Sequence, residues 1–264
     1  MKRPVDIVVI SDVHLGTYGC HANELTEYLE SIAPRILVLN GDIVDIWQFR
    51  KRFFPSSHLN VLKTILALAA SGTKVYYVTG NHDDLLRRFS DFHMNNVALV
   101  DKLVLNIEDK KAWFFHGDVF DASIQNARWL AKLGGWGYDV LILINRMINW
   151  GLKKMGREPY SISAAVKRGV KSAVKYIQDF EDVASDMAIE NGYDFVICGH
   201  IHQPQMRIIT KKKGVCTYLN SGDWVENLSA LEHVNGKWTL FRYRSENDVN
   251  NVVDMTQILK KSGS

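Results

Sequence analysis

Cysteine is scarce in this chain, net charge is small, and no apolar run is long enough to span a bilayer. Cys20, Cys198 and Cys216 are the only cysteines among 264 residues. They form no CxxC pair and leave an odd count, which excludes a simple disulfide framework and suits reduced thiols in a cytoplasmic protein. A net charge of +3 is too small to imply nucleic-acid binding by itself. No run approaches the ~18 apolar residues of a transmembrane helix. The most apolar stretch, Val140 to Trp150, is interrupted by Asn145, Arg146 and Asn149, so it can lie on a membrane without crossing it. Met1-Lys2-Arg3-Pro4 leads straight into a strand-like run, and no signal peptide is expected. Internal repeats and low-complexity segments are also missing. What is present, 47% hydrophobic and 23% charged residues, is the composition of one globular domain with room for an insertion.

Short β-branched runs alternate with helical patterns in the first half. Asp6–Ser11, Ile36–Asn40 and Lys74–Thr79 read as buried strands, separated by helical periodicity over Asn23–Ala33 and His58–Ala70. That β-α-β-α-β order predicts a largely parallel sheet with helices outside it. Strand signals return at Val97–Ile107, Ala112–His116, Phe195–Cys198, Met206–Thr210, Val215–Asn220, Leu228–Val234 and Lys237–Tyr243. The late ones are joined by turns such as Asn235-Gly236 and read as antiparallel hairpins. Two sheets with flanking helices are therefore expected. From Ala122 to about Asn191 only helical signals occur. The division read from the sequence is a core of residues 1–121 and 192–245, an inserted helical cap over 122–191, and a polar tail over 246–264.

Each strand in the core runs into a polar cluster. Ser11 precedes Asp12-Val13-His14, Asn40 precedes Gly41-Asp42, and Thr79 precedes Gly80-Asn81-His82-Asp83. Phe115 precedes His116-Gly117-Asp118, and Cys198 precedes Gly199-His200-Ile201-His202. The carboxyl ends of strands are where an α/β sheet builds a site. Five such ends would deliver Asp12, His14, Asp42, Asn81, His116, His200 and His202 into one crevice. Mixed carboxylate, imidazole and amide oxygens suit divalent Mn, Fe, Zn or Co. A carboxylate can bridge two ions about 3.5–4 Å apart, a pair that clamps the attacking and leaving oxygens of phosphoryl transfer. The alternation in Asp12-x-His14 and His200-x-His202 predicts both side chains on one side of an extended segment. Glycines 41, 80, 117 and 199 would let the backbone turn beside the ions.

These motifs resemble those of the calcineurin-like metallophosphoesterase superfamily, from Asp6 to about Trp224. The resemblance implies an α/β fold, a four-layer αββα sandwich, here with the inserted helical cap. It implies one metal held by Asp12, His14, Asp42 and His202, and a second held by Asp42, Asn81, His116 and His200, with Asp42 bridging. Two divalent ions, Mn²⁺ in the first instance, would be the cofactors. His82 would face the phosphate and protonate the leaving oxygen or stabilise transition-state charge, with Asp45 as its partner carboxylate.

The cap carries the remaining signal. Between Val140 and Gln178, Arg146, Lys153, Lys154, Arg157, Lys167, Arg168, Lys171 and Lys175 face a single acid, Glu158, amid a run of Leu, Ile, Val and Trp. Apolar helices flanked by cations suit an anionic lipid or a bilayer surface. The absence of a spread aromatic stacking platform makes nucleic acid a poor fit. With Tyr218-Leu219-Asn220-Ser221-Gly222-Asp223-Trp224, the chain is similar to the UDP-2,3-diacylglucosamine pyrophosphohydrolase family. That resemblance implies cleavage of a lipid-linked nucleotide diphosphate to a lipid monophosphate and UMP, in lipid A synthesis at the cytoplasmic face of the inner membrane, with peripheral membrane contact through the cap. Arg157, Lys167 and Lys171 are the candidate substrate contacts. In the best-defined branch of that family arginine stands where this chain has His82, and the Asp45-like partner is missing. The alternative expectation is a broad-range soluble phosphodiesterase or phosphatase acting on another nucleotide or lipid phosphate.

Overall fold

The computed structural model of the protein describes residues 2–46, 53–120 and 162–243, with backbone alone over 162–172. The chain divides into two compact units, Met1–Asp118 with Ala184–Ser264, and Val119–Val183. In the larger unit the first strand, β1 (Arg3–Ile10), is followed by helix α1 (Ala22–Ser31), β2 (Ile32–Asn40), helix α2 (Ser56–Ala70) and β3 (Lys74–Val78). After these come β4 (Phe92–Met94), β5 (Val97–Val100), β6 (Leu103–Ile107) and β7 (Lys110–Phe114). A long helix, α3 (Ile162–Glu190), leads into β8 (Phe195–Cys198), β9 (Gln205–Lys211), β10 (Gly214–Asn220), β11 (Ser229–Val234) and β12 (Lys237–Arg242).

Two sheets result. The seven-stranded sheet has the order β12-β11-β1-β2-β3-β5-β4, and the five-stranded sheet β6-β7-β8-β10-β9. β1, β2, β3 and β5 are parallel neighbours, as are β7, β8 and β10, whereas β9–β10 and β11–β12 are antiparallel. The central strands are apolar on both faces, as a doubly covered sheet requires. Val8 and Ile10 of β1 and Leu37 and Leu39 of β2 pack toward α1 and α2, with Leu25, Leu29, Val61 and Ile65. Their alternates Ile7, Val9 and Val38 meet Phe114, Ile197, Leu219 and Trp238 between the sheets. On the outer face of the five-stranded sheet, Trp113 and Phe115 stack at 4.0 Å with Tyr193 nearby, and Cys216 Sγ donates to the Ser185 carbonyl at the end of α3. Helices, sheet, sheet and helix are the four layers expected.

Two local readings are corrected. The helical pattern over Asn23–Ala33 ends at Ser31 and β2 begins at Ile32. Pro34 pushes Ala33 into extended backbone, and its missing N–H falls before β3 begins to pair, at Ile36 with Lys74. The single run Val97–Ile107 divides at Asp101-Lys102 into β5 in one sheet and β6 in the other. Of the region read as a cap, α3 is described as a helix, while residues 121–161 lie outside the described residues, as does the polar tail over 246–264. Among the described residues, no helix is long and apolar enough to cross a membrane. All three cysteines are free thiols.

Candidate metal centre

The loops that follow β1, β2, β3, β7 and β8 are tied to one another by their own backbones. Asp12 N donates to Gly41 O at 3.0 Å, both Val13 N and His14 N donate to Asp42 O at 3.0 Å, and Gly199 N donates to His116 O at 3.0 Å. His82 N donates to Asp42 Oδ1 at 2.8 Å and His200 N to Asp12 Oδ2 at 3.0 Å. All five loops belong to the larger unit.

Three groups of ligand atoms form there, each within 4.8 Å: Asp12, His14 and His202; Asp42, His116 and His200; and His14, Asp45 and His82. Asn81 sits half-buried between Gly80 and His82 in the β3 loop. The structure thus brings the sequence-selected side chains to one crevice, by a backbone route the sequence did not reveal. Asp12 (φ 52°), His14 (φ 54°), Asp42 (φ 54°), His200 (φ 68°) and His202 (φ 52°) are left-handed rather than extended. Such non-glycine conformations cost on the order of 1–3 kcal/mol each and persist only where surrounding contacts impose them. The glycines differ among themselves as well. Gly41 (φ 85°) needs glycine's conformational freedom, but a Cβ at Gly80 would lie 2.3 Å from Asp42 Oδ1, and one at Gly199 2.6 Å from Asp12 Oδ2. These last two make room for carboxylates rather than turn the chain.

The donor set fits cations. His116 Nδ1 donates to the Asn40 carbonyl at 2.9 Å, which leaves Nε2 carrying a lone pair. That Nε2 lies 3.2 Å from Asp42 Oδ2, and His202 Nε2 lies 3.3 Å from Asp12 Oδ1. His116 Nε2 and Asp12 Oδ1 are fully buried and make no hydrogen bond. Facing electron pairs at that separation repel unless positive charge lies between them. The electrostatics show the same demand. Burial pushes the Asp42 carboxyl up, but His116, His14 and His82 outweigh it and hold it well below the usual carboxylate range. Burial lowers His202, but Asp12 and Asp223 raise it to about 9. His116 is likewise held well above its ordinary value, against burial, by Asp42 and Asp12.

His82 and Asp45 form a separate pair. His82 Nδ1 donates to Asp45 Oδ2 at 3.0 Å, and the same oxygen lies 3.8 Å from His14 Nδ1. The hydrogen bond to Asp45 raises the His82 pKa, with burial opposing and Asp42 assisting. Burial alone would raise Asp45, but its two imidazole neighbours hold it well below the carboxylate range. The imidazole is part-exposed, with a side-chain accessibility of 37%, against 3% for Asp45. An imidazole that favours its protonated form is thus anchored on one side by a buried carboxylate and part-exposed on the other.

Several supporting residues were missed by sequence reasoning. Asp83, fully buried, accepts from Gly80 N at 2.6 Å, Ile43 N at 2.9 Å and Tyr77 Oη at 2.6 Å, joining the β2 and β3 loops. Asn40 positions His116 through its carbonyl and spans the sheets by donating to Phe115 O at 3.1 Å. Arg87 is engaged by Asp84, Asp101 and Asp118 at 2.7, 2.7 and 3.1 Å, fixing the β7 loop against the β3 loop. Only Asp83 had a local signal, three residues after Gly80 in a turn-forming cluster. The candidate substrate contact Arg157 lies outside the described residues, and Lys167 and Lys171 fall on the part of α3 whose side chains lie outside them.

A sequence model described as calcineurin-like phosphoesterase matches residues 5–204. A UDP-2,3-diacylglucosamine hydrolase from Blochmanniella pennsylvanica (strain BPEN) is 29% identical over 235 residues, spanning 86% of this chain and 92% of that protein. Proteins of the same name from Aeromonas salmonicida (strain A449) and Stenotrophomonas maltophilia (strain R551-3) are 26% and 24% identical. They span 84% and 88% of this chain, and 87% and 96% of their own lengths.

Proposed function

This chain belongs to the calcineurin-like phosphoesterase family of metal-dependent hydrolases, and from that premise we propose that it hydrolyses the diphosphate of UDP-2,3-diacylglucosamine to a lipid monophosphate and UMP. The observation that supports this substrate is its similarity to hydrolases of that name along nearly their whole length. The ligand assignment is part of the proposal. Asp12, His14 and His202 would hold one ion and Asn81, His116 and His200 the other, with Asp42 available to both. The converging donors and the buried lone pairs of Asp12 and His116 support it. Mn²⁺ is the proposed metal, matching the oxygen-and-imidazole donor set.

When bound, the ions supply Lewis-acid charge at the phosphoryl group and lower the pKa of the attacking water. The protein does the rest. The strained loops preset the ligand positions, so that little reorganisation is left for the moment of reaction. His82, protonated and steadied by Asp45, delivers a proton to the departing phosphate oxygen. The cap proposed over residues 122–191 would receive the acyl chains, with Arg157, Lys167 and Lys171 available to anions and the basic apolar face resting on the cytoplasmic side of the inner membrane.

A second reading has its own support. The His82–Asp45 pair at 3.0 Å follows the general superfamily pattern rather than that of the lipid-diphosphate branch, which suits a phosphodiesterase of broader range. One experiment separates the two: UMP release from UDP-2,3-diacylglucosamine with Mn²⁺, beside turnover of bis-p-nitrophenyl phosphate. UMP release that dominates supports the first reading. Robust diester cleavage without UMP replaces it with the second.

A further inference from the structure

The loop after β10 lies beyond the residues matched by the family model, which end at 204, yet it holds two of the candidate ligands. Trp224 N donates to the Asp12 carbonyl at 3.1 Å, and Asn227 Nδ2 donates to the His202 carbonyl at 3.0 Å. These carbonyls belong to residues in left-handed backbone, at φ 52° in both cases. The Asp223 carboxylate lies at ion-pair distance from the ring of the same histidine, with Oδ2 3.6 Å from His202 Nδ1.

Asp223 is itself held firmly. It is fully buried, and Oδ1 accepts from the backbone amides of Val225 at 2.8 Å, Glu226 at 2.5 Å and Asn227 at 3.1 Å. Its Oδ2 accepts from Asn227 Nδ2 at 2.6 Å. One carboxylate therefore folds its own loop and presents a negative oxygen to His202. The contrast with His116 is informative, since the Nδ1 of that ring meets a neutral carbonyl. At 3.6 Å the Asp223 carboxylate is at ion-pair rather than hydrogen-bond distance, and its charge behind the imidazole favours a proton on Nδ1, leaves Nε2 to ligate and raises the basicity of that nitrogen.

We propose that Asp223 and Asn227 are positioning residues: both hold His202 directly, the loop they fold presents Trp224 N to the Asp12 carbonyl, and together these contacts set the affinity of the Asp12–His14–His202 site for its ion. The proposal rests on the metal-centre reading above. It makes the two ion sites unequal in their support, with the loss of these contacts felt at one site only.

The test is metal binding rather than turnover. Wild type, Asp223→Asn and Asn227→Ala are stripped, then titrated with Mn²⁺ by calorimetry, with metal content measured after desalting. The thermal midpoint is recorded with and without the ion. The asparagine keeps the shape and the oxygen that accepts the three backbone amides, while removing the charge and turning the oxygen that faces Asn227 Nδ2 and His202 into a donor. The part-buried Asn227 change reads these contacts even where the Asp223 change disturbs folding. The expected result is an unchanged first class of sites and a second class weakened ~10–100-fold, with a correspondingly smaller Mn²⁺-induced rise in midpoint. Two ions bound with wild-type affinity in both variants would overturn the positioning role, even if their metal-free midpoints fell. Wild type that binds no metal would instead overturn the metal-centre reading beneath it.

Discussion

Gly80→Ala is a one-methyl test of how tightly the crevice is built. An ideal Cβ at this position would stand 2.3 Å from Asp42 Oδ1, 2.6 Å from Asp42 N and 2.9 Å from His116 Cδ2. Ordinary contact begins near 3.4 Å, so Asp42 must retreat by about 1 Å. It has little freedom to do so. Its backbone is left-handed at φ 54°, its carbonyl accepts two amides from the β1 loop, and its Oδ1 accepts His82 N at 2.8 Å. Overpacking of this kind costs roughly 1–3 kcal/mol, and losing a hydrogen bond to a charged group roughly 1.5–3 kcal/mol more. A displacement of ~1 Å at the reacting centre lowers turnover ~100-fold. Metal content, thermal midpoint and kcat should therefore fall together. Gly72→Ala is the control: its φ of 106° makes the substitution strained, but nothing lies within 4 Å of the added Cβ. It should cost ~1–3 kcal/mol of stability and leave kcat and metal content alone. A Gly80→Ala protein with wild-type metal content and turnover would refute the claim that the glycine is there to seat Asp42.

Three further outcomes are expected. Asp45→Asn removes the negative charge that raises His82, so His82 loses its proton at lower pH, and the alkaline limb of the kcat profile should move to lower pH, whereas an unmoved limb would remove His82 from the acid role. Trp238→Ala, at a site 1% exposed between the sheets, should lower stability by ~3–5 kcal/mol in denaturant unfolding while the metal-saturated kcat stays near wild type. Exhaustive chelation should abolish hydrolysis and re-addition of Mn²⁺ restore it; turnover by metal-free protein would be incompatible with the site described.

The parts of this molecule legible in the sequence are those fixed by local pattern. β1 to β3 announce themselves as β-branched runs because both faces of a central strand are covered. The seven candidate ligands stand out because each polar cluster interrupts such a run at its end. The split at Asp101-Lys102 is invisible, since two residues let the chain cross from one sheet to the other without any break in strand-forming character. The left-handed backbone at Asp12, His14, Asp42, His200 and His202 is equally hidden. It is imposed by amides and carbonyls from other loops, so no neighbour in sequence records it. Asp223 shows the same limit: its local partners at 225 to 227 mark a turn, but His202 reaches it only through the fold.

The most direct test of the dinuclear centre is electron paramagnetic resonance of the protein titrated with Mn²⁺, compared with Asp42→Asn. Two ions per chain with a spin-coupled spectrum are expected in the wild type, and loss of that coupling when the proposed bridging carboxylate becomes an amide. A single uncoupled ion in the wild type, or a coupled pair that survives Asp42→Asn, would contradict that centre.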